Sequence, residues 1–143
     1  MHVKDASSQY RETQVKTANQ GKLIVMLYDG AIKFLKIALD NLPKKKYDTV
    51  NNNIIKSQDI ITELMLSLNF EVGDFANRLY SLYSYMNKRL VEANIQKSAE
   101  PMEEVIRYLA ELKEAWEQVS HVSTENDELG VDFDESGGVN IQS

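Results

Sequence analysis

Residues 22–42 read K-L-I-V-M-L-Y-D-G-A-I-K-F-L-K-I-A-L-D-N-L, and this stretch decides the fold. Apolar residues recur in it at spacings of three and four, which is the period of an amphipathic helix. Fourteen of the 21 residues are apolar, whereas a helix that faces one bundle core needs about three in seven. The stretch therefore predicts a helix with more apolar surface than a single core contact uses.

Three further segments repeat the helical period, and residues that break helices separate them. Pro43 follows the first helix and opens a loop with the lysines at 44–46. A turn around Gly73 separates the second segment from the third, and Pro101 suits the first turn of a fourth helix. We predict helices over residues 20–42, 47–69, 75–97 and 101–121. Short loops between helices of about 20 residues predict an all-α antiparallel four-helix bundle.

The predicted bundle occupies residues 17–122, between a short N-terminal segment (1–16) and an acidic tail (123–143). The tail contains six acidic residues and no lysine or arginine, whereas the rest of the chain has 16 of each sign. A segment of this composition buries too little apolar surface to offset its ordering entropy, and we predict that it is disordered in solution. We expect a solubilising appendage; the alternative is a weak contact of Phe133 or residues 139–141 with an empty binding groove.

Several function classes lack the residues that their chemistry needs. Cysteine is absent, which excludes a disulfide scaffold, a thiolate zinc site and a cysteine nucleophile. The two histidines, His2 and His121, belong to no Glu-x-x-His pair of the kind that a di-iron bundle uses. The sequence has no phosphate-binding loop and no dinucleotide-binding motif. We therefore expect no enzymatic activity, no cofactor and no metal ion.

Charge and hydropathy limit the partners further. The lysines at 44–46 form the only basic run in a body that is neutral overall, which disfavours nucleic acid as a partner. The longest uninterrupted apolar run, residues 23–28, is far shorter than the roughly 18–20 residues that span a membrane. The first ten residues lack the apolar stretch of a signal peptide. We therefore expect a soluble cytoplasmic protein with no membrane insertion.

Apolar residues in the first and third predicted helices exceed what one core stripe uses. A surplus of this kind is typical of a partner-binding surface, although a central helix touched on several sides would also need it. Gly30 lies inside the first helix, where glycine costs about 1 kcal/mol relative to alanine. This cost indicates close approach of another backbone, which belongs either to a neighbouring helix or to a bound peptide.

Particular strings along the chain resemble flagellar secretion chaperones of the FliS type. They occur in the family's order over about residues 10–116, and Gln20 departs from the pattern, because the family often has proline there. The strings are V-K-T-A-N (15–19), L-Y-D-G-A-I-K-F-L (27–35), N-N-N-I-I-K-S-Q-D-I-I-T-E-L (51–64), L-Y-S-L-Y-S-Y-M (79–86) with R-L-V-E-A-N (89–94), and L-K-E-A-W (112–116).

The resemblance implies an antiparallel bundle that binds the C-terminal segment of flagellin, one to one, in the cytoplasm. It implies that the chaperone prevents premature polymerisation and delivers flagellin to the flagellar type III export apparatus. It also implies that the N-terminal segment around Tyr10 covers part of the groove when no client is present. The alternative is a self-associating structural bundle whose extra apolar face makes a homodimer with no flagellin client.

We expect the client groove to be formed mainly by the first and third helices, because these helices have the apolar excess and several of the family strings. The segment before the first helix is expected to contribute as well. The residues expected to contact the client are Tyr10, Leu27, Tyr28, Gly30, Ala31, Leu79, Tyr83, Met86 and Leu90.

Overall fold

The computed structural model describes residues 6–127, with side chains described for residues 20–71 and 73–118. Four α-helices account for most of this part of the chain, and no strand occurs in it. A short 3-10 helix, Phe70–Val72, precedes the third of them. The four are α1 (Ala6–Asn41), α2 (Tyr47–Leu66), α3 (Asp74–Gln96) and α4 (Ala99–Asp127). The predicted all-α four-helix bundle is confirmed.

Each helix packs against two others. Helix α1 packs against α2 and α4, and α3 packs against the same two helices, so α1 and α3 lie at opposite corners of the bundle. The connections are short, which makes successive helices antiparallel neighbours. We call the end of the bundle that holds the α1–α2 and α3–α4 connections the upper end. The lower end holds the α2–α3 connection.

Local hydrogen bonds explain where the helices stop. The side chain of Asn41 donates to the carbonyl of Ile37 at 2.8 Å and closes the last turn of α1. Lys45 then adopts a left-handed backbone conformation, which reverses the chain in the loop predicted after Pro43. Helix α3 ends similarly, because Lys97 is left-handed and the next N–H bonds back to Ala93 at 3.1 Å. Gly73, with φ of 98°, supplies the turn before α3 that other residues rarely adopt.

The N-terminal boundary of the first helix was predicted wrongly. We expected it after Asn19, whereas α1 begins at Ala6. Residues 6–19 are polar, but they include no proline or glycine, and glutamine, lysine, arginine and glutamate are good helix formers. A stable helix can extend into neighbouring residues that have no apolar stripe of their own. That residues 1–16 cover a groove stays a prediction.

The C-terminal boundary also lies further along than expected. Helix α4 continues to Asp127, five residues past the predicted end of the bundle at residue 122. The predicted disordered tail falls mostly on residues 128–143, which lie outside the described residues.

The core lies along the bundle axis and receives one apolar stripe from each helix. These stripes follow the three- and four-residue spacing predicted for amphipathic helices. A polar residue also enters the core, because Ser57 is buried and donates its hydroxyl to the carbonyl of Ala31 at 3.1 Å. The largest fully buried side chains are Tyr28, Leu35, Val50, Ile54, Ile61, Leu64, Tyr83, Met86, Leu90, Met102, Val105 and Leu109.

Candidate partner-binding surface

Helices α1 and α3 do not form a groove with each other within the described residues. They occupy opposite corners of the bundle, and each packs against α2 and α4. The physical reason is the up-and-down topology, in which short loops place consecutive helices side by side and the first and third helices diagonally. The expectation of a groove between the first and third helices is therefore wrong.

Most of the residues expected to contact a client lie inside the core. The expectation that they lie on a surface groove is wrong, because they belong to the periodic apolar stripes that fill the bundle interior. Contact with a client stays a prediction for them, and it would require the bundle to open. The buried residues of this set are Tyr28, Ala31, Leu79, Tyr83, Met86 and Leu90.

Two core tyrosines satisfy one another's hydroxyl groups across the bundle. The hydroxyl oxygens of Tyr28 on α1 and Tyr83 on α3 are 2.5 Å apart and buried. Burial raises the pKa of Tyr28 to about 12, against the opposing effect of hydrogen bonds with Tyr83 and Trp116. Burial raises the pKa of Tyr83 further, and the neighbouring Tyr28 adds to that rise. Both tyrosines are therefore neutral near pH 7, and their hydrogen bond is structural.

The remaining expected residues have different surroundings. Leu27 is half-buried and packs against the core. Gly30 faces α2, because a Cβ added to it would lie 3.2 Å from the Cδ1 atom of Ile60. The expected close approach of another backbone is not seen: the neighbour within 4 Å of that Cβ position is the Ile60 side chain of α2. The side chain of Tyr10 lies outside the described residues.

Exposed apolar side chains gather on the outer side of α2 and α3. The register of these two helices follows from two hydrogen bonds: the side chain of Asn94 donates to that of Asn51 at 2.7 Å, and Gln58 donates to the carbonyl of Asn87 at 3.4 Å. Between these two levels lie Ile55 and Val91, each about one helical turn from the Asn51–Asn94 pair.

This register defines two groups of apolar side chains along the two helices. The upper cluster comprises Ile55, Val91 and Ile95, whose side chains are 42%, 47% and 78% exposed. The lower cluster comprises Leu66, Phe70 and Tyr80, in which the rings of Phe70 and Tyr80 meet edge to face at 5.8 Å. Together the two clusters form what we call the α2–α3 face.

The α2–α3 face was missed at the level of sequence, although a signal for it existed. Ile55 follows the core residue Ile54, and Val91 follows the core residue Leu90. An apolar residue next to a core position lies about 100° around the helix and can face away from the core, as Ile55 and Val91 do. The apolar excess on α3 was expected to be left over after the core stripe was filled, but the α3 residues named for it belong to that stripe.

Charged side chains surround the apolar clusters unevenly. On the α4 side of α3, Arg89 binds Glu104 at 2.7 Å and Glu92 at 2.5 Å, and the Tyr85 hydroxyl donates to Glu104 at 3.0 Å. Hydrogen bonding to Arg89 lowers the pKa of Glu104, and the two carboxylates raise that of Arg89. These pairs stay ionised near pH 7 and form a polar border to α3.

The lysines lie mainly toward the upper end. Lys88 is exposed on α3, Lys97 follows the end of that helix, and the exposed lysines at 44–46 precede α2. Acidic side chains lie in the same region: Asp48 and Asp59 are on α2, Glu92 follows Val91 on α3, and Glu100 is exposed at the start of α4. The charge around the upper cluster is therefore mixed.

Among the described side chains, those of residues 20–71 and 73–118, no group of three or more histidine, aspartate or glutamate residues is arranged to hold a metal ion. None of the helices described is both long and apolar enough to cross a membrane.

Comparison with known proteins gives one consistent result. The family model described as "Flagellar protein FliS" matches residues 3–123. The flagellar secretion chaperone FliS of Bacillus subtilis (strain 168) is 34% identical over 82% of this chain and 88% of its own. FliSB of Pseudomonas aeruginosa is 34% identical over 85% of this chain and 100% of its own. FliS of Salmonella typhimurium is 36% identical over 76% and 82% of the two chains.

Proposed function

Because the chain belongs to the FliS family of flagellar proteins, we propose that it is a non-enzymatic export chaperone of flagellin. In this proposal it binds the C-terminal segment of flagellin in the cytosol, with one chaperone for each client. The bound segment cannot join a filament, so premature polymerisation is prevented. The complex then delivers flagellin to the flagellar type III export apparatus.

The exposed apolar α2–α3 face is the observation on this chain that supports the proposal most directly. Large apolar side chains such as Leu66 and Ile95 are 81% and 78% exposed. Exposing apolar surface to water is unfavourable, and a bound client would cover that surface. Amide side chains such as Asn51 and Asn94 lie beside the upper cluster and can bond to a peptide backbone. A client segment that orders on binding gains affinity by burying such a surface. Its ordering costs conformational entropy, which reduces that affinity.

The test is a titration of the full-length chain with a peptide of the flagellin C-terminal segment. Isothermal titration calorimetry should show saturable binding at one peptide per chain, with a negative heat-capacity change from apolar burial. Circular dichroism should show a gain of helix in the peptide. Absence of binding at high peptide concentration would contradict the proposal.

The self-associating homodimer remains the second candidate, because the same apolar face could close against its copy. Analytical ultracentrifugation distinguishes the two candidates. The chaperone proposal expects a one-to-one complex with the peptide, whatever the state of the free chain. A dimer whose mass and stability do not respond to the peptide would favour the structural bundle.

A further inference from the structure

We propose that helix α3, Asp74–Gln96, opens as a unit from an otherwise intact bundle, with Gly73 and Lys97 as its two hinges. In the open form α1, α2 and α4 stay packed together, and the core stripe of α3 meets water. The opening requires no partner, so it goes beyond the proposed function. It also regulates the α2–α3 face, because that face is complete only while α3 is docked.

The helices of the bundle do not approach one another equally. Among the four, the backbone of α3 comes close to its neighbours least, and that of α1 most. Small residues explain the close packing of α1 on α2. Gly30 faces Ile60 of α2, and Ser57 of α2 donates its hydroxyl to the carbonyl of Ala31 at 3.1 Å. The α1–α2 contact is therefore the one that we expect the open form to keep.

Polar side chains form much of the contact between α3 and its two neighbours. Toward α2, Asn94 donates to Asn51 at 2.7 Å, and toward α4, Arg89 binds Glu104 at 2.7 Å. Water can replace each of these bonds, so breaking one costs little net free energy. The side-chain oxygen of Asn87 is buried without a hydrogen-bond partner, and opening would let water satisfy it.

Helix α3 also leaves much of its apolar surface in water while it is docked. Among the described side chains, it has more large exposed apolar residues than any other helix. Local opening has the lowest free energy where an element has few buried apolar contacts. The docking of α3 therefore depends mainly on its core stripe and on the bond between Tyr28 and Tyr83. The exposed residues are Phe75, Tyr80, Tyr85, Val91 and Ile95.

The backbone at both ends of α3 suits a hinge. Gly73 has φ of 98° and ψ of −148°, a region that glycine alone adopts readily. Lys97 is left-handed, with φ of 49°, which is unfavourable for a residue that has a side chain. Hinges are a few residues at the ends of elements that absorb large changes in φ and ψ. Opening would release Lys97 from this conformation.

Hydrogen exchange of the full-length chain without any partner tests the opening. Most of the stability of a helix comes from its packing, so the amides of α3 exchange once it leaves the bundle. Amides in the middle of α3, those of Tyr83 and Leu90, should have protection factors at least about tenfold lower than matched amides in the other helices. The matched amides are those of Leu35, Ile61 and Val105, whose side chains are also buried.

Urea below the unfolding transition shows how much of the chain opens. Exchange of the α3 amides should rise with urea along one common slope, smaller than that of global unfolding. Equal protection in all four helices, or exchange of α3 that does not respond to urea, would overturn the proposal. A slope that α3 and α4 share would assign the opening to both helices and overturn the hinge at Lys97.

Two conservative substitutions separate this opening from global unfolding. Tyr28→Phe leaves the Tyr83 hydroxyl buried and unpaired only while α3 is docked, so the protection of α3 should fall at least about fivefold. Ile60→Val weakens the α1–α2 contact, which the open form keeps. It should lower protection in α1 and α2 by about two- to tenfold and leave that of α3 unchanged.

Either of two results with these variants would also contradict the opening. One is an equal loss of protection in α3 and α1 with Ile60→Val, and the other is no loss in α3 with Tyr28→Phe. No flagellin is present in these measurements, so failure leaves the chaperone proposal unaffected.

Discussion

The hydroxyl groups of Tyr28 and Tyr83 lie 2.5 Å apart in the core and join the two helices that share no lateral contact, α1 and α3. One hydroxyl donates and the other accepts, which satisfies the buried Tyr83 hydroxyl, while Tyr28 also bonds with Trp116. The pair permits two large amphipathic side chains to occupy positions that periodicity assigns to the core.

Removing both hydroxyls of this pair should cost less than the sum of removing each one alone. Tyr28→Phe leaves the Tyr83 hydroxyl buried without its partner, and we expect a loss of about 1–3 kcal/mol in the free energy of unfolding. The double variant Tyr28→Phe/Tyr83→Phe should be destabilised by less than the sum of the two single variants. Urea denaturation of the four proteins measures the coupling, and strictly additive losses would show that the hydroxyls do not act together.

The same tyrosines predict how stability changes at high pH. The pKa of Tyr28 is raised from 10.0 to about 12 in the folded chain, so the unfolded chain loses its proton first. This contribution to stability is complete below pH 10, and it is lost as the pH rises from about 10 to 12. The free energy of unfolding should fall across that window less steeply in Tyr28→Phe/Tyr83→Phe. Equal slopes in the two proteins would contradict the prediction.

Substitutions at Gly30 should separate helix propensity from crowding. Alanine removes the cost of a helical glycine, about 1 kcal/mol, but its Cβ would lie 3.2 Å from Ile60 Cδ1. We expect Gly30→Ala to be nearly neutral, and Gly30→Ala/Ile60→Val to be more stable than Ile60→Val alone. Gly30→Leu should remain helical but lose about 1–3 kcal/mol by overpacking. Thermal and urea unfolding followed by circular dichroism measure these effects; a stabilised Gly30→Leu would disprove close packing against α2.

A charge on the α2–α3 face should weaken client binding without unfolding the chain. Ile95 is 78% exposed, so Ile95→Asp should leave stability nearly unchanged and reduce affinity for the flagellin peptide at least tenfold. The matched control is Met26→Asp, at an exposed apolar residue of α1, which should bind normally. Calorimetric titration compares the variants. Equal affinities for Ile95→Asp and the unchanged protein would exclude the upper cluster from the client site.

The bundle could be predicted from the sequence because each helix has apolar residues at three- and four-residue spacing, and because residues that break helices separate the segments. Pro43 and Gly73 lie in the connections that the structure shows. The start of α1 could not be found in the same way, because residues 6–19 contain neither a breaker nor an apolar stripe. When polar residues that form helices well precede a stable helix, the sequence does not show where the helix begins.

The site was less predictable than the fold because an apolar residue has the same sequence signature in a core and on a binding face. Tyr83 and Ile95 illustrate the difference, since both lie on α3 and only the first is buried. Which residue faces inward depends on which helices are neighbours, and that is fixed by the packing of all four helices. The diagonal placement of α1 and α3 removed the groove that their apolar excess had suggested.

The hydrogen bond between Asn51 and Asn94 has a consequence for the exchange of partners along the α2–α3 face. A carboxamide side chain has the same donor and acceptor groups as a peptide bond. A backbone laid across this position can therefore replace either asparagine in the pair, bond for bond. Replacement of this kind leaves the number of satisfied groups unchanged, so the two helices can accept a strand or release it with little enthalpic penalty.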